Sequence, residues 1–208
     1  MGIEEIVNEF LDIVFGTLGA DLKQMMSQSQ GLDFGMISLI CSGVELLGAL
    51  DRGSGGDEDR FAEALQKYFP DRYSRYTKTL YRLFRHGLAH QAFIKPGTAT
   101  SRNPDLKQHH LWGVSIDGEI ALFVHPDVFA QDFLKAVEEF RGTLRERPKK
   151  VEVAYQTIEK FYEARQHINE PVEIPTSLPD DGLNMTRMPL PNPQSLTRSE
   201  VRVGSIEF

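Results

Sequence analysis

Arg85, His86 and His90 are the residues whose types and spacing could carry chemistry in this chain; they lie in the run LYRLFRHGLAHQ, residues 80–91. An imidazole titrates near neutrality, so it can both take and give a proton. A guanidinium is a permanent cation whose planar fork matches two oxygens of a phosphate. The surrounding composition suits an anion. Residues 72–104 contain no Asp or Glu, but they hold Arg72, Arg75, Lys78, Arg82, Arg85, Lys95 and Arg102. That segment carries +7 in a chain of net charge −7, which leaves −14 for the remainder. A basic island in an acidic chain implies a local anion site and argues against a general nucleic-acid coat. The plainer reading is that the same charges solvate one face of a helix.

An arginine followed directly by a polar residue, with four residues between it and a histidine, resembles the signature of the HEPN superfamily. Arg85, His86 and His90 fit its three positions, and RHGLAHQ is similar to the RNGLxH form common in that family. The resemblance implies a mainly α fold, a HEPN-like helical bundle, and in many members metal-independent RNA cleavage. On that model His90 is the acid/base for attack by the neighbouring 2′-hydroxyl. Arg85 stabilises charge on the phosphate, and His86 orients the phosphate or serves as a second proton carrier. Arg72, Arg75, Lys78 and Arg82 would hold the RNA backbone. Tyr76 or Tyr81 could stack on an unpaired base, with core packing the plainer role for both. No metal or other cofactor is called for.

Five residues along an ideal α-helix turn about 500° and rise about 7.5 Å. Arg85 and His90 then point apart unless the helix loosens at Gly87 or two copies bring their motifs together. HEPN proteins usually form two-fold dimers with both motifs in one cleft, so the resemblance implies a homodimer. Three readings follow: an endoribonuclease, toxin-like or of a phage-defence kind; a non-catalytic nucleotide- or RNA-binding scaffold; and an adaptor in which the motif is structural. An antitoxin or other protein partner would dock on the C-terminal tail.

The elements that must position this motif can be read from periodicity. Apolar residues recur at three- and four-residue spacing over residues 3–26, which predicts an amphipathic helix with blemishes at Gly16 and Gly19. Residues 34–50 are apolar nearly all round and predict a central buried helix, ended by the glycines of residues 51–56. Asp57 reads as the N-cap of a short helix to Tyr68, stopped by Pro70. A fourth helix is expected over residues 72–86, with Tyr73, Tyr76, Leu80, Leu83, Phe84 and Gly87 inward. Residues 95–108 read as a loop. Asp117-Gly118 predicts a two-residue hairpin that pairs Ile116 with Glu119, Val114 with Ala121, Trp112 with Phe123 and His110 with His125. Pro126 suits the first turn of a helix to about Arg145, with Val128, Phe129, Phe133, Val137 and Phe140 inward. A last helix runs from Val151 to His167, with Val151, Ala154, Tyr155, Ile158, Phe161 and Tyr162 as its apolar stripe. The organisation expected is a helical domain over 1–169 with a hairpin at about 109–125, then an extended tail over 170–208 that holds six of the eleven prolines.

Weaker signals complete the reading. His109, His110 and His125 invite a metal site, but without nearby carboxylates a rim cluster is the simpler expectation. The 51–56 loop lacks the Lys-Ser/Thr of a phosphate-binding P-loop, and no GxSxG, HExxH or CxxC occurs. The single cysteine, Cys41, lies in an apolar run and reads as a buried structural thiol, so no disulfide framework forms within the chain. Glu4 and Glu5 stand where a signal peptide would carry basic residues, and no run reaches 18 apolar residues. A cytoplasmic protein with no membrane span is expected.

Overall fold

A computed structural model describes residues 2–28, 32–87 and 96–166. The motif histidine His90, the cation Lys95 and the whole 170–208 tail lie outside the described residues. What is described is mainly helical, with one small three-stranded sheet.

Helix α1 (Ile3–Ser27) is continuous through Gly16 and Gly19, and it buries Val7, Leu11, Phe15 and Leu22. Glu5 reaches back to accept the Gly2 N–H at 3.2 Å, closing its first turn. Helix α2 (Asp33–Arg52) is the axis of the bundle. Met36, Ile37, Ile40, Cys41, Val44, Leu47 and Leu50 are fully enclosed. By length and composition alone α2 could cross a membrane, but more than half of it is buried against the other helices, as a core helix requires. Helix α3 (Asp57–Tyr68) lies so close to α2 that a Cβ on Gly48 would meet the Arg60 carbonyl oxygen at 2.2 Å. Gly48 is therefore needed for close approach of two backbones. Asp57 is the first helical residue and Gly56 takes the cap position, so the Asp57 carboxylate supports the helix dipole and pairs with Arg60 instead of capping.

The fourth helix departs from the uniform α-helix expected over residues 72–86. A 3₁₀ turn (Asp71–Tyr73) comes first, then one α turn, α4 (Thr77–Leu80), then a π-helical turn (Tyr81–Arg85). The His86 N–H donates to the carbonyl of Tyr81, five residues back. The helix thus loosens one turn before Gly87, where loosening is one of two ways for Arg85 and His90 to converge. Tyr73, Leu80, Phe84 and Gly87 are buried as expected, and Tyr76 and Leu83 partly so.

The predicted loop after residue 95 contains strand β1 (Thr98–Thr100) and a 3₁₀ helix (Pro104–His109). Strands β2 (Gly113–Ile116) and β3 (Glu119–Val124) form the hairpin with the predicted register at Ile116–Glu119 and Val114–Ala121. β1 adds to β3 in parallel, giving the order β1-β3-β2. Short parallel pairing has no local turn signal, so the period of the sequence did not disclose it. One face of the sheet gives Leu111, Leu122 and Val124 to the helical core. The other closes a small cluster of Val114, Ala121 and Phe123.

Helix α5 (Pro126–Glu146) starts on its proline and buries Phe129, Phe133, Val137 and Phe140. Helix α6 (Pro148–Gln166) begins at Pro148 and encloses Ala154 and Ile158. Phe161 and Tyr162, expected inward, are exposed at 44% and 52%. The apolar stripe of α6 outruns the core that covers it.

Candidate functional site

Arg85 ends the π turn, and its Nε–H donates to Glu45 Oε2 on α2. Both side chains are mostly covered, Arg85 at 23% and Glu45 at 19% exposure. That hydrogen bond, against the cost of burial and with the Glu45 charge, holds Arg85 firmly in its charged form. Glu45 is the only charged residue within the apolar run 34–50. A lone carboxylate on a buried helix needs a partner, which marks Glu45 as a residue to be paired but does not say with what. One turn earlier on α2, Cys41 is fully buried and its thiol is pushed up to about 12 by burial. That agrees with a structural thiol. Tyr81 packs edge-on against Phe61, with ring centroids 5.5 Å apart, so it serves the core instead of a stacked base. His86 is exposed beside Arg85.

The basic island is largely neutralised from elsewhere in the chain. Arg72 pairs with Asp132, Arg82 with Glu58, Arg85 with Glu45, and Arg102 with Asp127. Arg102 also donates to the Met26 carbonyl at 2.8 Å, clamping the end of α1 to the start of α5. The picture of a bare basic face along one helix is therefore corrected. Among the described residues, Arg75 and Lys78 are the island members with no carboxylate within 4.0 Å, and both are exposed.

A second constellation brings the histidines in from the rim. His110 and His125 are buried, at 5% and 0% exposure, contrary to a surface cluster. Tyr73 Oη donates to Asp132 Oδ2 at 2.9 Å and stands 2.7 Å from His110 Nε2. The His125 N–H donates to His110 Nδ1 at 3.1 Å. An Nδ1 that accepts carries no proton, so the neutral ring holds its proton on Nε2 and donates to Tyr73. The order is then His110 to Tyr73 to Asp132, with Arg72 balancing the carboxylate. Burial, together with the nearby charges of Arg72 and His125, pushes His110 down to about 3. Among the described residues no group of three or more His, Cys, Asp or Glu side chains could hold a metal ion.

The backbone explains how His110 turns inward. Leu111 has φ +67°, and the Trp112 N–H donates to the His109 carbonyl at 3.0 Å. With His110 at φ −57° and ψ 125°, residues 109–112 form a type II turn whose third position usually takes glycine. Leu111 N–H donates to Phe123 and Phe123 N–H to Trp112, both at 2.8 Å, so two residues oppose one in a β-bulge. The plain ladder expected through Trp112 and His110 is broken there. The His110–His125 proximity survives as a ring-to-backbone bond. The bulge buries His110 and Leu111 and leaves Trp112 45% exposed.

Between this bulge and the Asp71–Tyr76 stretch lies an open cleft of about 480 Å³, lined by Arg72, Arg75, Tyr76, Lys107, Gln108, His110 and Trp112 among others. Of the sequence-predicted RNA-binding residues, Arg72 and Arg75 line it, while Lys78 and Arg82 do not. The sequence reading missed Lys107, Trp112 and the supporting Asp132. Asp132 was legible as the one carboxylate between Phe129 and Phe133 on the inward stripe of α5. Comparison with protein-family models, with curated proteins and with solved structures finds no match.

Proposed function

We propose that the chain is a HEPN-like protein directed at RNA, a metal-independent endoribonuclease that uses Arg85 and His90, with His86 beside them. The observation that supports it is the placement of Arg85. Its guanidinium sits at the end of a π turn, a distortion frequent at functional sites, and Glu45 fixes its orientation. Only Nε is spent on Glu45, and the fork has five N–H donors. A guanidinium held in place before substrate arrives stabilises developing phosphate charge without reorganising. In the proposed step His90 takes the proton of a 2′-hydroxyl as its oxygen bonds to phosphorus. The P–O5′ bond breaks to leave a 2′,3′-cyclic phosphate, and a protonated imidazole gives its proton to the leaving 5′-oxygen. Two copies would face their motifs into one cleft.

The test is incubation of purified protein with total RNA in EDTA, beside Arg85→Ala and His90→Ala variants of verified fold. Cleavage by wild type alone is the expected result. Equal cleavage by all three would overturn the reading.

A second reading, a non-catalytic nucleotide- or RNA-binding scaffold, is favoured by one observation: Arg72, Arg82 and Arg85 of the island already carry carboxylate partners. RNA retained by the wild type without cleavage, and lost at high salt, would support it.

A further inference from the structure

We propose that the cleft between the Asp71–Tyr76 stretch and the Leu111 bulge binds a nucleotide unit, with its phosphate on Arg75 and Lys107 and its base on Trp112. The inference goes beyond the ribonuclease reading and does not require it. The cleft's charge is the first argument. Arg72, Arg75 and Lys107 line it against a single carboxylate, Asp71. Arg75 and Lys107 have no ion-pair partner among the described residues, so an anion displaces nothing to reach them. Arg72 differs: its carboxylate partner, Asp132, is buried behind the cleft wall, while its own side chain is 46% exposed. The guanidinium is thus tethered from behind and open in front.

The aromatic content separates a nucleotide from a bare phosphate. Trp112 is a large apolar side chain left exposed, and the His109 ring packs edge-on to it at 4.8 Å and 88°. That contact orients the indole, and its exposed part lines the cleft, where a nucleotide base can stack on an aromatic ring. Tyr76 adds a half-buried ring to the lining. A volume of about 480 Å³ lies within the ordinary range for small-ligand sites.

The wall is also built to stay in place. The Tyr73–Asp132–Arg72 and Tyr73–His110 bonds tie the 3₁₀ turn to α5 and to the bulge, across the back of the cleft. The left-handed Leu111 adds backbone strain at the same place, and its buried side chain offsets that strain within the core.

Trp112 is the only tryptophan in the chain, so its fluorescence reports the site directly. Full-length protein is titrated with AMP, ATP and a ten-residue oligouridylate (the last as single-stranded RNA), with calorimetry alongside and inorganic phosphate as control. Saturable quenching is expected, weakened about tenfold or more by Arg75→Ala/Lys107→Ala; Trp112→Leu removes the only tryptophan, so its binding is read by calorimetry and should weaken by about as much. All of these positions are exposed, so the variants keep the fold. Binding of AMP or ATP identifies a free nucleotide as the source, and binding of the oligouridylate alone identifies single-stranded RNA; either supports the proposal. Arg85→Ala should abolish cleavage yet bind as wild type, which separates the two sites. Absence of binding at roughly millimolar concentration, the weak end of specific recognition, overturns the proposal. So does binding of inorganic phosphate as tight as AMP and indifferent to Trp112→Leu.

Discussion

Asp51 and Asp132 are built from the same parts and do different work. Each is a carboxylate at the edge of the helical core that accepts a tyrosine hydroxyl and pairs with basic side chains. Asp51, near the end of α2, accepts from Lys67 at 2.8 Å on both oxygens, from Tyr68 at 2.8 Å, and pairs with Lys150 at 2.9 Å. Every bond in that set ends at Asp51 and ties α2 to α3 and α6. Asp132 holds Arg72 and Tyr73, but its set continues through His110 to the His125 backbone. It runs from α5 to the sheet and presents a guanidinium to an open cleft. A closed set fastens helices; an open one fastens a wall and leaves a charge in front of it.

The comparison predicts its largest contrast in acid. His110 ionises at about 3 in the folded chain against 6.5 when free. Its neutral form is the one the fold accepts, so its contribution is complete above pH 6.5. It is lost as pH falls from 6.5 towards 3, because the unfolded chain binds the proton first. The slope approaches about 1.4 kcal/mol per pH unit, and the loss reaches roughly 4 kcal/mol by pH 3. His125 is also lowered by burial and acts with the same sign. Asp51 behaves otherwise. Burial raises its carboxyl, but hydrogen bonds from Lys67, Lys150 and Tyr68 outweigh that and leave it below 3.8. Its contribution persists until pH falls through that lower range. Urea unfolding between pH 7 and 4.5 should therefore show a steep loss that His110→Gln flattens. Parallel pH profiles for wild type and variant would break the contrast.

Asp51→Ala comes next. It leaves Lys67, Lys150 and the buried Tyr68 hydroxyl without their acceptor, and should cost about 3 kcal/mol. Nucleotide quenching of Trp112 should not change. Asp132→Asn keeps the shape but removes the charge opposing Arg72, which is half exposed and partly solvated. The cost should be about 2 kcal/mol, with nucleotide affinity altered as well, because Arg72 loses its tether. If both variants shift only stability, the Asp132 set is a fastening like the other and the open description fails.

Why one half of this contrast was legible in the sequence follows from the range of each signal. The helices of α1, α2, α3, α5 and α6 announce themselves by local period, and Asp117-Gly118 fixes the hairpin register through its own turn geometry. Arg85 was legible as a residue, but not its pairing with Glu45, which joins positions 40 residues apart. Nor was the loss of the basic island, since each neutralising carboxylate comes from a distant helix. The cleft was the least visible. It depends on a leucine in a left-handed conformation that a glycine would have flagged, and on a 3₁₀ turn at Asp71–Tyr73 that no residue type marks. His110 and His125 were correctly placed near one another, but a ring-to-backbone bond across a bulge gave them a structural task.

The smallest effect gives the sharpest comparison, because two substitutions of one kind test the two sets. Tyr68→Phe removes one of several donors to Asp51. Lys67 and Lys150 remain, so the loss should be about 1 kcal/mol. Tyr73→Phe removes the donor to Asp132 and also the acceptor for the His110 Nε2 proton. A buried donor left without a partner costs about 1–3 kcal/mol, so this variant should be worse by about 1 kcal/mol. The His110 environment supplies an independent readout. In Tyr73→Phe the ring loses the partner that fixes its tautomer, and its Nδ1 and Nε2 nitrogen shifts should move; in Tyr68→Phe they should not. Equal stability losses with an unmoved His110 spectrum would mean that the chain of bonds stops at Tyr73, and that the cleft wall is held by Arg72 and Asp132 alone.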